Sequence, residues 1–128
     1  MIINKMVVRF KDKTLLKGRT SDFSADKSFF HLSLLSGETV RVDIEKMKAA
    51  FVVKSFAGNK NYNYTYKDVI PWGGNKIKVE FLDGEVMIGY TSYYPFGNIV
   101  FSITPADLTG NNKSVFVVNS ATKKITFL

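Results

Sequence analysis

The feature that most constrains this chain is an internal repeat. Residues 6–20 read MVVRFKDKTLLKGRT and residues 77–91 read IKVEFLDGEVMIGYT. At a constant spacing of 71 residues, Met6 meets Ile77, Val8 meets Val79 and Phe10 meets Phe81. Asp12 then meets Asp83, Leu16 meets Met87, Gly18 meets Gly89 and Thr20 meets Thr91. The register continues through Ser21/Ser92, Phe23/Tyr94, Phe30/Phe101 and Leu32/Ile103. After a four-residue insertion in the second copy, Val40, Val42, Ala50 and Val52 fall on Val115, Val117, Ile125 and Phe127. Similar turns alone would not keep the two-residue alternation, the turn aspartate and the glycine in step.

Within each copy the apolar period is two, the signature of strands. Met6, Val8 and Phe10 face inward on the first strand, and Thr14, Leu16 and Gly18 on the second. Ser28, Phe30 and Leu32 follow on the third, then Val40 and Val42. Asp43 to Lys46 suit a short helical turn before a fifth strand, Ala49 to Lys54. Copy two repeats this with strands near 76–82, 85–92, 98–104, 114–118 and 123–128. Asp83-Gly84 is a tight-turn pair, because glycine reaches positive φ freely. Copy one carries Lys13 at that glycine position. Gly18 and Gly89, inside second strands, mark a bend or a close backbone approach. The expectation is an all-β chain of two tandem five-stranded small barrels of the Sm-like or SH3-like kind. Residues 1–54 form the first barrel, 55–75 an aromatic-rich connector and 76–128 the second barrel.

The block Val79 to Gly89, V-x-F-x-D-G-x-x-x-x-G, resembles the first signature block of Sm-like barrels. The whole chain also resembles an uncharacterised bacterial family of duplicated proteins, in which Phe101-Ser-Ile-Thr-Pro-Ala-Asp107 and Asn111-Asn112 before Val115-Phe116-Val117 recur. That resemblance implies the fold and no activity. Sm-like RNA binding uses an Asp-x-x-Met-Asn loop and a later Arg-Gly or Lys-Gly step. Here Phe96-Gly97-Asn98 and Asp26-Lys27-Ser28 stand at the loop, and the Arg-Gly step is missing from both copies. Asp22-Phe23-Ser24 followed by Lys27 is similar to the D-x-S-x-x-G element of PilZ domains, which implies cyclic dinucleotide binding. Lysine replaces the glycine, and no R-x-x-x-R precedes it.

The net charge of +7 is uneven. Residues 1–64 hold 12 Lys and Arg against 6 Asp and Glu, and residues 65–128 hold 6 against 5. Basic excess on one unit suits anionic partners such as nucleic acid or nucleotides. It also serves solubility alone. The outward positions of the first hairpin concentrate it: Lys5, Arg9, Lys11, Lys17 and Arg19. Like charges on neighbouring strands repel, so an anionic partner explains their tolerance. Cationic side chains that protect a sheet from edge pairing explain it equally.

The matching face of copy two carries Leu82, Val86, Ile88 and Tyr90. A strand apolar on both faces is normally covered on both, by the other barrel, the connector or a second subunit. In the connector, Tyr62, Tyr64 and Tyr66 alternate, and Trp72 follows Pro71. These rings suit base stacking. They suit equally a strap packed into the seam between barrels, and the alternation is compatible with an extra strand.

Catalysis finds little footing. His31 is the only histidine and there is no cysteine, so the usual zinc sets are absent. Asp12 and Asp83 belong to turns, and Asp107 reads as a loop-capping residue. No Walker-type loop or G-x-G-x-x-G occurs, so no cofactor is expected. No apolar run approaches the roughly 20 residues that span a bilayer. The first residues lead directly into strand, without a signal-peptide core. The expectation is a cytoplasmic, non-enzymatic binding or regulatory module that works through protein contacts, including a possible homodimer. The alternative is nucleic-acid or nucleotide binding through the basic face.

Overall fold

A computed structural model describes residues 2–58, 60–92 and 97–128. Tyr94, the repeat partner of Phe23, and Phe96 of the Phe96-Gly97-Asn98 loop lie outside the described residues. Ten strands form in two sets of five. The first set is β1 (Ile3–Phe10), β2 (Leu15–Thr20), β3 (Phe29–Leu34), β4 (Thr39–Asp43) and β5 (Met47–Val53). The second is β6 (Asn75–Phe81), β7 (Val86–Thr91), β8 (Val100–Pro105), β9 (Asn112–Val118) and β10 (Thr122–Phe127). A 3-10 turn precedes the last strand of each set, Ile44–Lys46 and Asn119–Ala121. The alternation and the helical turn are thus realised in both copies.

The architecture departs from two separate barrels. All ten strands belong to one antiparallel sheet that does not close, in the order β10-β6-β7-β8-β9-β5-β1-β2-β3-β4. Within each half the order is the same, fifth-first-second-third-fourth. The halves meet where β5 pairs β9, with Ala49 opposite Val117, Phe51 opposite Val115 and Val52 opposite Ser114. A sheet continuing across that joint gives β5 two hydrogen-bonded neighbours, β1 and β9.

Apolar alternation decides which side chains form the core. Met6, Val8, Phe30, Leu32, Val42, Ile77, Val79, Phe81 and Ile103 are buried, as the two-residue period predicts. Strand β5 differs, because Met47 through Phe51 are buried on both faces. A strand lying mid-sheet and covered twice reads as a continuous apolar run. Val7, expected to face out from β1, is buried too. It sits beside Phe51 in the β1–β5 ladder.

The repeat extends to single hydrogen bonds. In the β1–β2 turn the Phe10 N–H donates to the Thr14 carbonyl and the Lys13 N–H to the Phe10 carbonyl. In the β6–β7 turn Phe81, Glu85 and Gly84 make the same two bonds. Asp12 accepts from the Thr14 N–H at 2.9 Å and Asp83 from the Glu85 N–H at 3.0 Å. Both turns place one residue in the left-handed region, Gly84 at φ 93° and Lys13 at φ 75°. Gly18 and Gly89 serve close approach: a Cβ there would lie 2.2 Å from the Ser33 carbonyl oxygen or 2.4 Å from that of Thr104.

A lysine at positive φ carries a Cβ penalty that glycine escapes. Lys13→Gly is therefore expected to raise the unfolding free energy by about 0.5–1 kcal/mol, net of the greater unfolded-chain entropy. Gly84→Lys is expected to lower it by a similar amount. Urea melts of the two variants check both signs.

Candidate functional site

Among the described residues of the connector before Asn75, where β6 begins, no strand forms, so the extra-strand expectation is not met there; residues 55–58 and 60–74 run as a strap. Polar side chains tie it down at both ends. The Ser55 N–H donates to Asn111 Oδ1 at 3.0 Å, and Asn111 Nδ2 donates to the Ser55 carbonyl at 2.9 Å. Lys17 Nζ donates to the Phe56 carbonyl at 2.8 Å, fixing the start of the strap to the basic hairpin.

Asp107 is the second anchor. It is 2% exposed. Tyr62 donates its hydroxyl to Oδ1 at 2.6 Å, the Thr65 N–H donates to Oδ2 at 3.0 Å, and the Thr109 hydroxyl donates to Oδ1 at 3.1 Å. Burial pushes the Asp107 carboxyl up, and these donors more than offset it, holding it below the ordinary carboxylate value. The loop-capping role read from the sequence is met. This bond fixes the Tyr62 hydroxyl, and Tyr62 is not part of the groove lining described below.

The three tyrosines do line up on one side. Tyr62 meets Tyr64 edge-on at 5.3 Å, and Tyr64 stacks on Tyr66 at 5.5 Å with the rings 12° from parallel. Tyr66 itself adopts φ 51°, a backbone conformation rare for a bulky residue. Burial raises the Tyr66 hydroxyl to about 12, with Glu85 adding to the effect. Burial raises Tyr64 likewise. Both rings stay neutral.

A groove of about 480 Å³ brings the basic hairpin and this strap together. Arg9, Leu15 and Lys17 line it from β1 and β2, Lys48 and Phe51 from β5, and Tyr64 and Tyr66 from the strap. Glu85, Met87, Phe56, Lys60 and Asn112 are also among the lining residues. The Arg9 guanidinium lies 5.9 Å from the centre of the Phe51 ring. Among the described residues Arg9 has no ion-pair partner. Lys48 Nζ is held by Asp83 at 2.7 Å and Glu85 at 2.5 Å. Lys48 is thus neutralised by two carboxylates, and Arg9, Lys17 and Lys60 supply the groove's cationic excess.

The other sequence candidates lie apart. Lys5 donates to the Lys54 carbonyl at 3.2 Å. Lys11 donates to the Glu45 carbonyl at 2.7 Å and to Ser120 Oγ at 2.6 Å, bridging the halves. Arg19 is exposed on β2 opposite Ser33, outside the groove lining. Trp72 is 76% exposed and is not part of that lining. Leu82 and Val86 are exposed, while Ile88 and Tyr90 are half-buried. The strap covers Tyr90 so closely that a Cβ on Gly73 would lie 2.6 Å from Tyr90 Cβ.

Sequence reasoning missed Lys48, Phe51 and Glu85. The lone charge in Met47-Lys48-Ala49-Ala50-Phe51 was the available signal. Asp22, in the PilZ-like phrase, binds its own fold: His31 Nδ1 lies 2.7 Å away and the His31 N–H donates at 2.9 Å. These bonds lower the Asp22 carboxyl to about 2. Among the described residues no His, Asp and Glu group is arranged to hold a metal ion, and no helix is long and apolar enough to cross a membrane.

Removing the Asp107 carboxylate strands three donors, so Asp107→Ala is expected to cost about 2–3 kcal/mol in urea unfolding. Because this carboxyl is held low in the folded state, its contribution is complete above the ordinary 3.8 and is lost as pH falls below it. The difference in stability between wild type and Asp107→Ala is expected to shrink on acidification through that range, by the part that depends on the ionised carboxylate. A difference that is the same above and below that range would contradict the assignment.

No curated protein and no solved structure matches the chain. A family profile does, over residues 3–128, and by that match the chain belongs to the family of unknown function DUF6982.

Proposed function

We propose that the protein is a non-enzymatic binding module whose groove takes an anionic ligand with a planar ring: a nucleotide or a short single-stranded nucleic acid. The observation that carries this reading is the convergence of Arg9 and Lys17 with Tyr64 and Tyr66 on one groove. Arginine supplies a planar fork for phosphate. Neutral, stacked tyrosines supply a face on which a base lies with little sequence preference. The surrounding charge is positive on balance, which raises the local concentration of anions. Each half has five strands in the order of a small Sm-like barrel, with a 3-10 turn before the last. That supports reading each half as an opened barrel of that kind. A cytoplasmic bacterial setting is the one this reading assumes.

Work through protein contacts remains the second reading. Leu82, 66% exposed, and Val86, 40% exposed, favour it. Tyr90 of the apolar face that motivated it is already covered by the strap at Gly73, which leaves the groove as the better supported site.

Titration calorimetry with mononucleotides and fluorescence anisotropy with short single-stranded RNA and DNA separate the two sources of the same chemistry. Affinity is expected to fall linearly in log–log terms with salt. Arg9→Ala is expected to weaken binding about tenfold, the loss of one charge-assisted hydrogen bond. Tyr64→Ala is expected to cost about 1–3 kcal/mol, as for one stacked base. Trp72→Ala, outside the groove, is expected to leave affinity unchanged. No binding of any of these ligands at low salt would remove the proposal.

A further inference from the structure

The repeat makes the β5–β9 joint a template for a contact that the chain leaves unmade. β5 and β10 are the same strand in the two copies, and so are β9 and β4. Inside the chain, β5 of copy one is joined to β9 of copy two. At the ends of the sheet, β4 of copy one pairs only with β3 and β10 of copy two only with β6 among the described strands, so each has an open outer edge. These two edges are the counterparts of the pair that already fits.

Exposure at matching positions shows what is missing. Val53 is 4% exposed in the joint, whereas Leu128, 75 residues on, is 62% exposed. Val115 is fully buried in the joint and its counterpart Val40 only partly. Phe81 is 1% exposed beneath the Lys48 ammonium, 4.6 Å from the ring centre. Its counterpart Phe10 is only half-buried. A depression of about 450 Å³ opens there, lined by Phe10, Lys11, Asp12, Thr14, Glu45 and Lys46.

The charges repeat as well. Across the joint Lys48 is bound by Asp83. Lys48 recurs as Lys123, and Asp83 recurs as Asp12. Lys123 and Asp12 are both exposed, and neither has an ion-pair partner among the described residues. Unpaired strand edges are templates for another chain, and here hydrogen bonding, apolar complement and charge all select the same partner.

We propose that the protein assembles head to tail, β10 of one copy adding beside β4 of the next and reproducing the β5–β9 joint between chains. Transposing the observed register sets Ile125 opposite Arg41 of the next copy, Thr126 opposite its Val40 and Phe127 opposite its Thr39. Lys123 then reaches Asp12 and covers Phe10 of that copy. The contact is heterologous, so it propagates until a ring closes. It holds whether or not the groove takes a ligand.

Light scattering through a dilution series reads the mass, and the absence of native cysteine permits a direct test of register. The wild type is expected at a multiple of 14.4 kDa. In Thr39→Cys/Phe127→Cys, mild oxidation is expected to give a ladder of disulfide-linked chains. The displaced pair Thr39→Cys/Lys124→Cys is expected to give at least tenfold less. Leu128→Glu changes a side chain that is already 62% exposed, so it is expected to leave the fold intact while dissociating the assembly. Lys123→Glu is expected to weaken association at least tenfold, and Lys123→Glu/Asp12→Lys to recover it. A constant mass of 14.4 kDa would overturn the proposal. So would an oligomer that is indifferent to Leu128→Glu and forms no crosslink between positions 39 and 127.

Discussion

The pairing of β5 with β9 is the constraint on which the rest of the molecule depends. A half of about 50 residues buries too little surface to be secure alone. Sharing a strand ladder and a covering face lets each half complete the other. The cost is a near-buried ammonium, Lys48, whose side chain is 11% exposed. Burying a charge is tolerable only when it is paired and hydrogen-bonded. Asp83 and Glu85, both from the turn of the opposite half, meet that requirement. The same ion pair therefore fixes the relative placement of the halves and closes one end of the groove.

The groove follows from that placement. β5 supplies Phe51 to its lining, and the basic hairpin of copy one supplies Arg9 and Lys17. The strap brings Tyr64 and Tyr66, but only because Asn111 and Asp107, both from the β8–β9 connection that the insertion lengthens in copy two, hold its backbone down. The insertion breaks the repeat and has a job the repeat does not provide. Tyr64 also packs against Gly110, where a Cβ would lie 2.6 Å from its ring. The departure from duplication is what makes one half's surface into a site.

Local signals carried the strands. Alternation in Met6-Val7-Val8-Arg9-Phe10, the turn at Asp83-Gly84 and the glycines at 18 and 89 all express short-range sterics, which a sequence displays openly. Lys13 was legible only through the repeat, because its own chemistry argues against φ 75° while its partner Gly84 argues for it. The β5–β9 joint was not legible. Its pairings connect residues such as Ala50 and Phe116, far apart in the chain, and an apolar strand does not name its neighbour. Closed barrels were the natural expectation from each copy taken alone. The groove was half legible: Arg9, Lys17, Tyr64 and Tyr66 were candidates, but their convergence depends on the joint. Lys5, Lys11, Arg19 and Trp72 shared the same composition signals and went elsewhere for reasons of geometry alone.

Amide hydrogen exchange tests the central claim most directly. If one continuous sheet holds both halves, amides in 49–53 and 114–118 exchange among the slowest, and core amides of both halves open with one common free energy. Two independently opening halves, with β5 and β9 amides exchanging early like those of an exposed edge, would contradict it.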